Sequence, residues 1–150
     1  FTSRPLAEPL EITGRIRALL WVSSSCKDTD FTAKLIDVYP PSVDYPEGFA
    51  MNITDGIFRL RYREGWDREA MAETGEVYRI EIEPFAVANL FQAGHRLRLD
   101  ISSSNYPHFD MNPNTGAPEG CAVDFRVATN HIYFGGRNLS RLRLPIMSEP

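Results

Sequence analysis

The sequence predicts an all-β fold, an antiparallel jelly-roll β-sandwich, and three observations carry that prediction. Apolar and polar residues alternate with a period of two through a series of short runs, with no strong amphipathic helical pattern between them. The runs are separated by clusters of Gly, Pro, Asn, Asp and Ser, the residues that turns require. The length of 150 residues suits a single domain over 1–150, which at that size buries roughly 68–70% of its unfolded surface without staples. The Cys-Trp-Cys spacing of immunoglobulin-like sandwiches is absent, which favours the jelly roll.

Taken in order, Pro5 and Pro9 mark an extended entry. Ile12, Gly14, Ile16, Ala18, Leu20 and Val22 then share one face of a long strand. Its second half also carries Leu19 and Trp21, so there both faces are expected to be covered. Polar residues 23–30 read as a turn, and residues 31–39 as a second two-faced strand that Pro40-Pro41 ends. After a connector at 42–48, residues 49–53 and then Phe58, Leu60 and Tyr62 read as strands, with Asp55-Gly56 between them as a hairpin or bulge signal. Arg59, Arg61 and Arg63 take the alternate positions, as Arg141 and Arg143 do later, and on a strand such positions read as a solvated face.

Residues 64–74 are charged and hold a short helix around Arg68-Glu69-Ala70-Met71. Tyr78, Ile80 and Ile82 alternate with Arg79, Glu81 and Glu83, an acidic outer row able to lie beside the Arg59 row. Residues 84–93 form a connector with a helical turn. The stretch from Gly94 to Pro107 organises the whole chain. There Leu97, Leu99 and Ile101 alternate with Arg96, Arg98, Asp100 and Ser102, a strand with one wet and one buried face. Strands are further expected at 125–127 and 130–134, then a Gly135-Gly136 turn, then a last run with Leu142, Leu144 and Ile146. The predicted core includes Ile16, Leu20, Leu35, Leu60, Ile80, Leu97, Leu99, Ile101 and Leu144.

A net charge of -4 argues against a general nucleic-acid or anionic-membrane partner. No apolar run approaches the length of a membrane span, and the first residues do not form a signal peptide. A chain that starts at Phe1 rather than Met reads as a piece of something longer. Cys26 and Cys121 lie in no C-x-x-C pair and read as free thiols, which leaves the compartment open with the cytoplasm favoured. The oligomeric state is open.

No G-x-S-x-G elbow occurs, so a serine-hydrolase site lacks its nucleophile here. Ser102, Ser103 and Ser104 lie near His95 and Asp100, but an odd spacing sends the histidine and the acid to opposite faces of a strand. No catalytic residue is expected. Asp28 with Asp30, or His108 with Asp110, offer too few oxygens for calcium. Asx-type turns account for them, so neither metal nor cofactor is expected. His131 reads as a sheet residue, and Gly135-Gly136 lacks the Lys-Ser/Thr and helix of a phosphate loop. Trp21, Trp66, Tyr106 and Phe109 suit either core and interface packing or a sugar-stacking platform. Asn52-Ile53-Thr54 and Asn138-Leu139-Ser140 match glycosylation sequons, relevant only in a eukaryotic secretory host.

Several segments in order resemble one family. They include Phe1-Thr2-Ser3, Glu11-Ile12-Thr13-Gly14, Val22-Ser23-Ser24 with Asp28-Thr29-Asp30-Phe31, and Lys34-Leu35-Ile36-Asp37-Val38. Asp55-Gly56-Ile57 with Arg61-Tyr62-Arg63, Gly94-His95-Arg96-Leu97, Ile101-Ser102-Ser103-Ser104-Asn105-Tyr106-Pro107, Asn112-Pro113-Asn114-Thr115-Gly116 and Leu144-Pro145-Ile146 complete the set. Together they resemble the C-terminal domain of the cocaine esterase and X-Pro dipeptidyl-peptidase group of α/β-hydrolases. The resemblance implies a jelly-roll accessory domain of the galactose-binding-like kind, with the catalytic triad in an upstream α/β-hydrolase domain that cleaves esters or amides. It implies packing on that domain and help in enclosing its cleft. The loop over 105–116 is expected to be ordered and to join the interdomain surface through Asn105, Tyr106, Phe109, Asn112 and Asn114. In that loop Tyr106 and Phe109 are expected to anchor on the sandwich, and the asparagines to bond backbone groups. The alternative function is an autonomous carbohydrate-binding jelly-roll module.

Overall fold

The computed structural model describes residues 1–121 and 124–147. Its strands are β1 (Leu10–Gly14), β2 (Arg17–Ser24), β3 (Asp30–Tyr39), β4 (Phe49–Arg59), β5 (Tyr78–Ile82), β6 (Val87–Phe91), β7 (Arg96–Ser102), β8 (Asn130–Ile132), β9 (Phe134–Gly135), β10 (Asn138–Leu139) and β11 (Arg141–Arg143). All their pairings are antiparallel. One sheet has the order β4-β3-β7. The start of the chain lies along β7, with Thr2 bridging Arg98 and the Leu99 N–H donating to the Phe1 carbonyl at 2.8 Å. In the second sheet β2 has β5 on one edge, while β11 and β8 share the other, opposite Arg17–Leu19 and Val22–Ser24 respectively.

The two sheets pack face to face as a β-sandwich. Ala18, Leu20, Val22, Ile80 and Ile82 of the second sheet meet Phe31 and Ala33 of the first, with Leu60 and Ala72 completing the cluster. The small β1-β6 sheet adds a second cluster, in which Ile12, Ile16 and Phe91 close over Leu35. Each fully buried side chain of this size contributes about 1.5–3 kcal/mol relative to exposure. Of the expected core, Ile16, Leu20, Leu35, Leu60 and Ile80 are buried, whereas Leu97, Leu99, Ile101 and Leu144 are half-buried.

Several local expectations are corrected. The long strand over Ile12 to Val22 is two strands in different sheets. The break is at Gly14, whose φ of 131° disfavours an L side chain and whose added Cβ would lie 3.2 Å from Pro145. The apolar alternation stays in phase across Arg15 and Ile16, so period alone does not reveal the switch. β4 runs through Asp55-Gly56 without a hairpin, paired to Lys34 and Ala33, and the glycine serves a close approach instead, since a Gly56 Cβ would fall 2.9 Å from Pro84 Cα. The bulge lies nearby, where Leu35 faces Thr54 and Ile36 faces Asn52, leaving Ile53 unmatched.

Leu60–Tyr62 forms one turn of 3-10 helix, so the strand ends at Arg59. Arg68 to Met71 is not helical, the connector expected before Gly94 contains β6, and Phe125 to Val127 is an exposed irregular segment. β5 pairs with β2, which takes the acidic row away from Arg59. Glu83 meets Arg15 at 2.7 Å and Glu81 meets Arg17 at 3.3 Å instead. Arg141 and Arg143 are exposed as expected, His131 sits in β8, and Cys26 and Cys121 are free thiols, the first buried and the second exposed.

Candidate functional site

The turn between β2 and β3 brings Asp28 and Asp30 to one end of the sandwich, both buried. Arg59 is the ladder partner of Asp30, and the 3-10 turn places Arg61 beside Asp28. The Arg59 guanidinium donates in a fork to both Asp30 oxygens, Nε to Oδ1 at 2.9 Å and Nη2 to Oδ2 at 3.0 Å, and its Nη1 donates to Glu119 at 2.8 Å. Arg61 Nε donates to Asp28 Oδ2 at 2.7 Å and its backbone N–H to Oδ1 at 2.9 Å. Its remaining nitrogens reach Glu69 at 3.1 Å and the Ala117 carbonyl at 2.8 Å. Arg63 donates to the Ala70 and Met71 carbonyls, with its guanidinium over the Tyr78 ring.

The expected solvated face of Arg59, Arg61 and Arg63 is therefore a correction. The alternation does not carry past Arg59, where the strand gives way to the 3-10 turn; residues 110–120 cover Arg59 and Arg61, while Arg63 is held by residues 70–71 and Tyr78. Asp28 and Asp30 likewise accept ionic hydrogen bonds rather than capping turns, and their oxygens already have partners. Such charge-assisted forks are strong and directional. The hydrogen bond with Asp30 holds the Arg59 guanidinium above its ordinary pKa against the opposing effect of burial. For Arg61, burial lowers the pKa, and the bonds to Asp28 and Glu69 overcome it and leave it raised. The Arg59 hydrogen bond holds the Glu119 carboxyl below its ordinary value.

Asn112 ties the loop to this network. Its Nδ2 donates to Asp28 Oδ2 at 2.9 Å and Asp30 Oδ1 at 2.8 Å, and its Oδ1 accepts the Asn114 N–H at 2.9 Å. Asn114, at φ 60°, donates through Nδ2 to the Arg126 carbonyl at 2.8 Å. Asn105 donates through Nδ2 to Asp55 at 3.2 Å, and its carbonyl accepts the N–H groups of His108 and Phe109. Phe109 is half-buried and lines a cleft of about 270 Å³ with Ile57, Arg59, Tyr62 and Trp66. Tyr106 is 67% exposed, so it does not anchor the loop. The polar residues do so instead.

Of the four aromatics considered for a platform, Trp66 and Phe109 line this cleft, while Trp21 is half-buried in β2 and Tyr106 projects into solvent. His108 Nε2 is 3.5 Å from Asp55 and Asp110 is exposed. His95 Nδ1 lies 2.9 Å from the buried Asp37, and Asp100 pairs with Arg98 at 3.0 Å, so the histidine and Asp100 do not meet. Sequence reasoning missed Glu69, Glu119 and Asp37. Glu69 and Glu119 pair with arginines and Asp37 with His95, and no spacing in the sequence signals these distant partners.

The sequence and the overall fold have close counterparts. A Rhodococcus sp. (strain MB1 Bresler) protein, cocaine esterase, is 41% identical over 151 residues, covering 99% of this chain and 25% of the relative. The solved structure of an alpha-amino acid ester hydrolase superposes with TM-score 0.90 at 32% identity, over 98% of this chain and 25% of that one. An aminopeptidase from a marine sediment Thaumarchaeota archaeon gives TM-score 0.88 at 30% identity, over 99% and 25% respectively. The chain thus spans about a quarter of the length of these relatives. The family model for the X-Pro dipeptidyl-peptidase C-terminal non-catalytic domain matches residues 1–143, and the chain belongs to that family.

Proposed function

We propose that this chain is the accessory C-terminal part of a longer α/β-hydrolase acting on esters or amides, of esterase, acylase or X-Pro dipeptidyl-peptidase type. It packs on an upstream catalytic domain and helps to enclose the cleft. The observation that carries this reading is coverage: nearly all of the chain matches one quarter of each relative, within a family described as non-catalytic. Residues 1–150 act as one jelly-roll domain. Its docking surface includes Asn105, Tyr106, Phe109, Asn112 and Asn114. The asparagines fix the loop backbone, leaving the exposed Tyr106 and the half-buried Phe109 beside Trp66 to meet the partner. Aromatic side chains of this kind give much contact area at an interface.

The test replaces Tyr106 and Phe109 by Ser in the full-length parent. We expect kcat/KM on an activated ester to fall by about tenfold or more, equivalent to ~1.4 kcal/mol, or the domains to separate more readily. The melting temperature of the sandwich should shift little. Unchanged activity and docking would remove the surface assignment. Saturable binding of an oligosaccharide, lost in Trp66→Ala, would favour the carbohydrate-binding alternative.

A further inference from the structure

Neighbouring strands of one sheet differ in a way that the β-sandwich alone does not explain. On β3 the inward residues Phe31, Ala33 and Leu35 are at most 1% exposed. Their neighbours on β7 project to the same side, Ile101 opposite Ala33, Leu99 opposite Leu35 and Leu97 opposite Asp37, yet all three are half-buried. They line a cleft of about 390 Å³ whose far side is Leu20 and Leu142 of the second sheet. Phe1 and Phe134, 61% and 47% exposed, touch at its rim with ring centroids 4.6 Å apart. A contiguous apolar surface of this kind on a soluble protein marks a contact site.

We infer that the cleft seats the polypeptide immediately preceding Phe1 in the parent protein, which extends the antiparallel ladder along β7. The inference rests on reading the chain as the C-terminal part of a longer hydrolase. Thr2 is bridged to Arg98, and the Phe1 nitrogen donates to the Leu99 carbonyl at 2.8 Å, where a peptide N–H would stand in a longer chain. β7 is the edge of its sheet beyond that point. Continued in register, the residue before Phe1 falls opposite Asp100 and the one before that opposite Ile101. Side chains alternate across a strand, so the second upstream residue faces the cleft with Phe1 and is apolar. Because Leu99 N–H points to this edge, Ile101 N–H does too, and it gains a carbonyl partner from the added strand, whereas Asp100 N–H points to β3.

Amide hydrogen exchange distinguishes the possible occupants. It is measured on this chain, on the chain extended by its adjacent upstream sequence, and on the full-length parent. The Ile101 amide should slow by about tenfold or more in both longer forms, as expected when an edge amide enters a ladder, while Asp100 is unchanged. Equal exchange in all three overturns the inference. Protection only in the full-length parent assigns the cleft to the catalytic domain, and concentration-dependent protection of the unextended chain assigns it to a second copy. Either result also overturns it. Failure of the Tyr106 and Phe109 variants to affect docking, with Ile101 still protected, would count against the accessory reading alone.

Discussion

The start of β3 and its flank along β7 lead to surfaces completed in opposite ways. At its start, Asp30 enters a network in which Asp28, Arg59, Arg61 and Asn112 find their partners within the chain. Along its flank, Leu97, Leu99 and Ile101 remain half-open over an apolar cleft. Charge is closed off locally because an unpaired buried ion is intolerable, whereas an apolar face can wait for a partner at a loss of only part of its burial energy. The charged end is a finished structure, and the apolar flank is an interface.

The most direct challenge to this contrast is Asp28→Ala. It removes the buried carboxylate from Arg61, whose side chain is only 2% exposed and keeps just the half-exposed Glu69 and the Ala117 carbonyl, and should destabilise the fold by about 3–5 kcal/mol in urea denaturation. A loss below about 1 kcal/mol would mean that the network is not sealed. Next, Leu35→Ala should cost about 2–5 kcal/mol as a fully buried truncation, and Leu99→Ala, its ladder neighbour, distinctly less. Equal losses in the isolated chain would show that the flank is already closed.

A smaller effect concerns pH. Because the folded state holds Glu119 below its ordinary pKa of 4.5, its contribution is complete above that value and fades as pH falls through the depressed one. Acid titration of stability should separate Glu119→Gln from the parent chain above about pH 4.5 and bring them together in stronger acid. The reverse order would contradict the Arg59 pairing. Smallest of all, Arg15→Ala removes an exposed pair to Glu83 and should change stability by about 0–1 kcal/mol.

Much of this was legible in the residues. The alternation of β7 and the two-faced runs of β2 and β3 identified their strands, since β7 buries one face more than the other while β2 and β3 are covered on both over most of their length. The roles of Asn112 and Asn114 in holding turns also followed from their chemistry. The positions of Arg59 and Arg61 did not, because a period of two tells which side chains travel together and not what covers them. Pairing β5 with β2, and recognising β6, required knowledge of distant partners, and a loop rich in proline and asparagine gives no hint of the carboxylates that it will cover.

The shared edge of β2 also shapes how the molecule assembles. β8 and β11 fill that edge from the far end of the chain, and the Trp21 N–H donates to Ser140 Oγ across a separation of 119 residues. Contacts so distant in sequence make folding slow, since a large loop must close before any of them forms. During synthesis β2 therefore emerges long before its edge partners exist. Until residues 130–143 are made, its unpaired backbone is a template on which another nascent chain can pair, which makes this edge an aggregation risk on the ribosome.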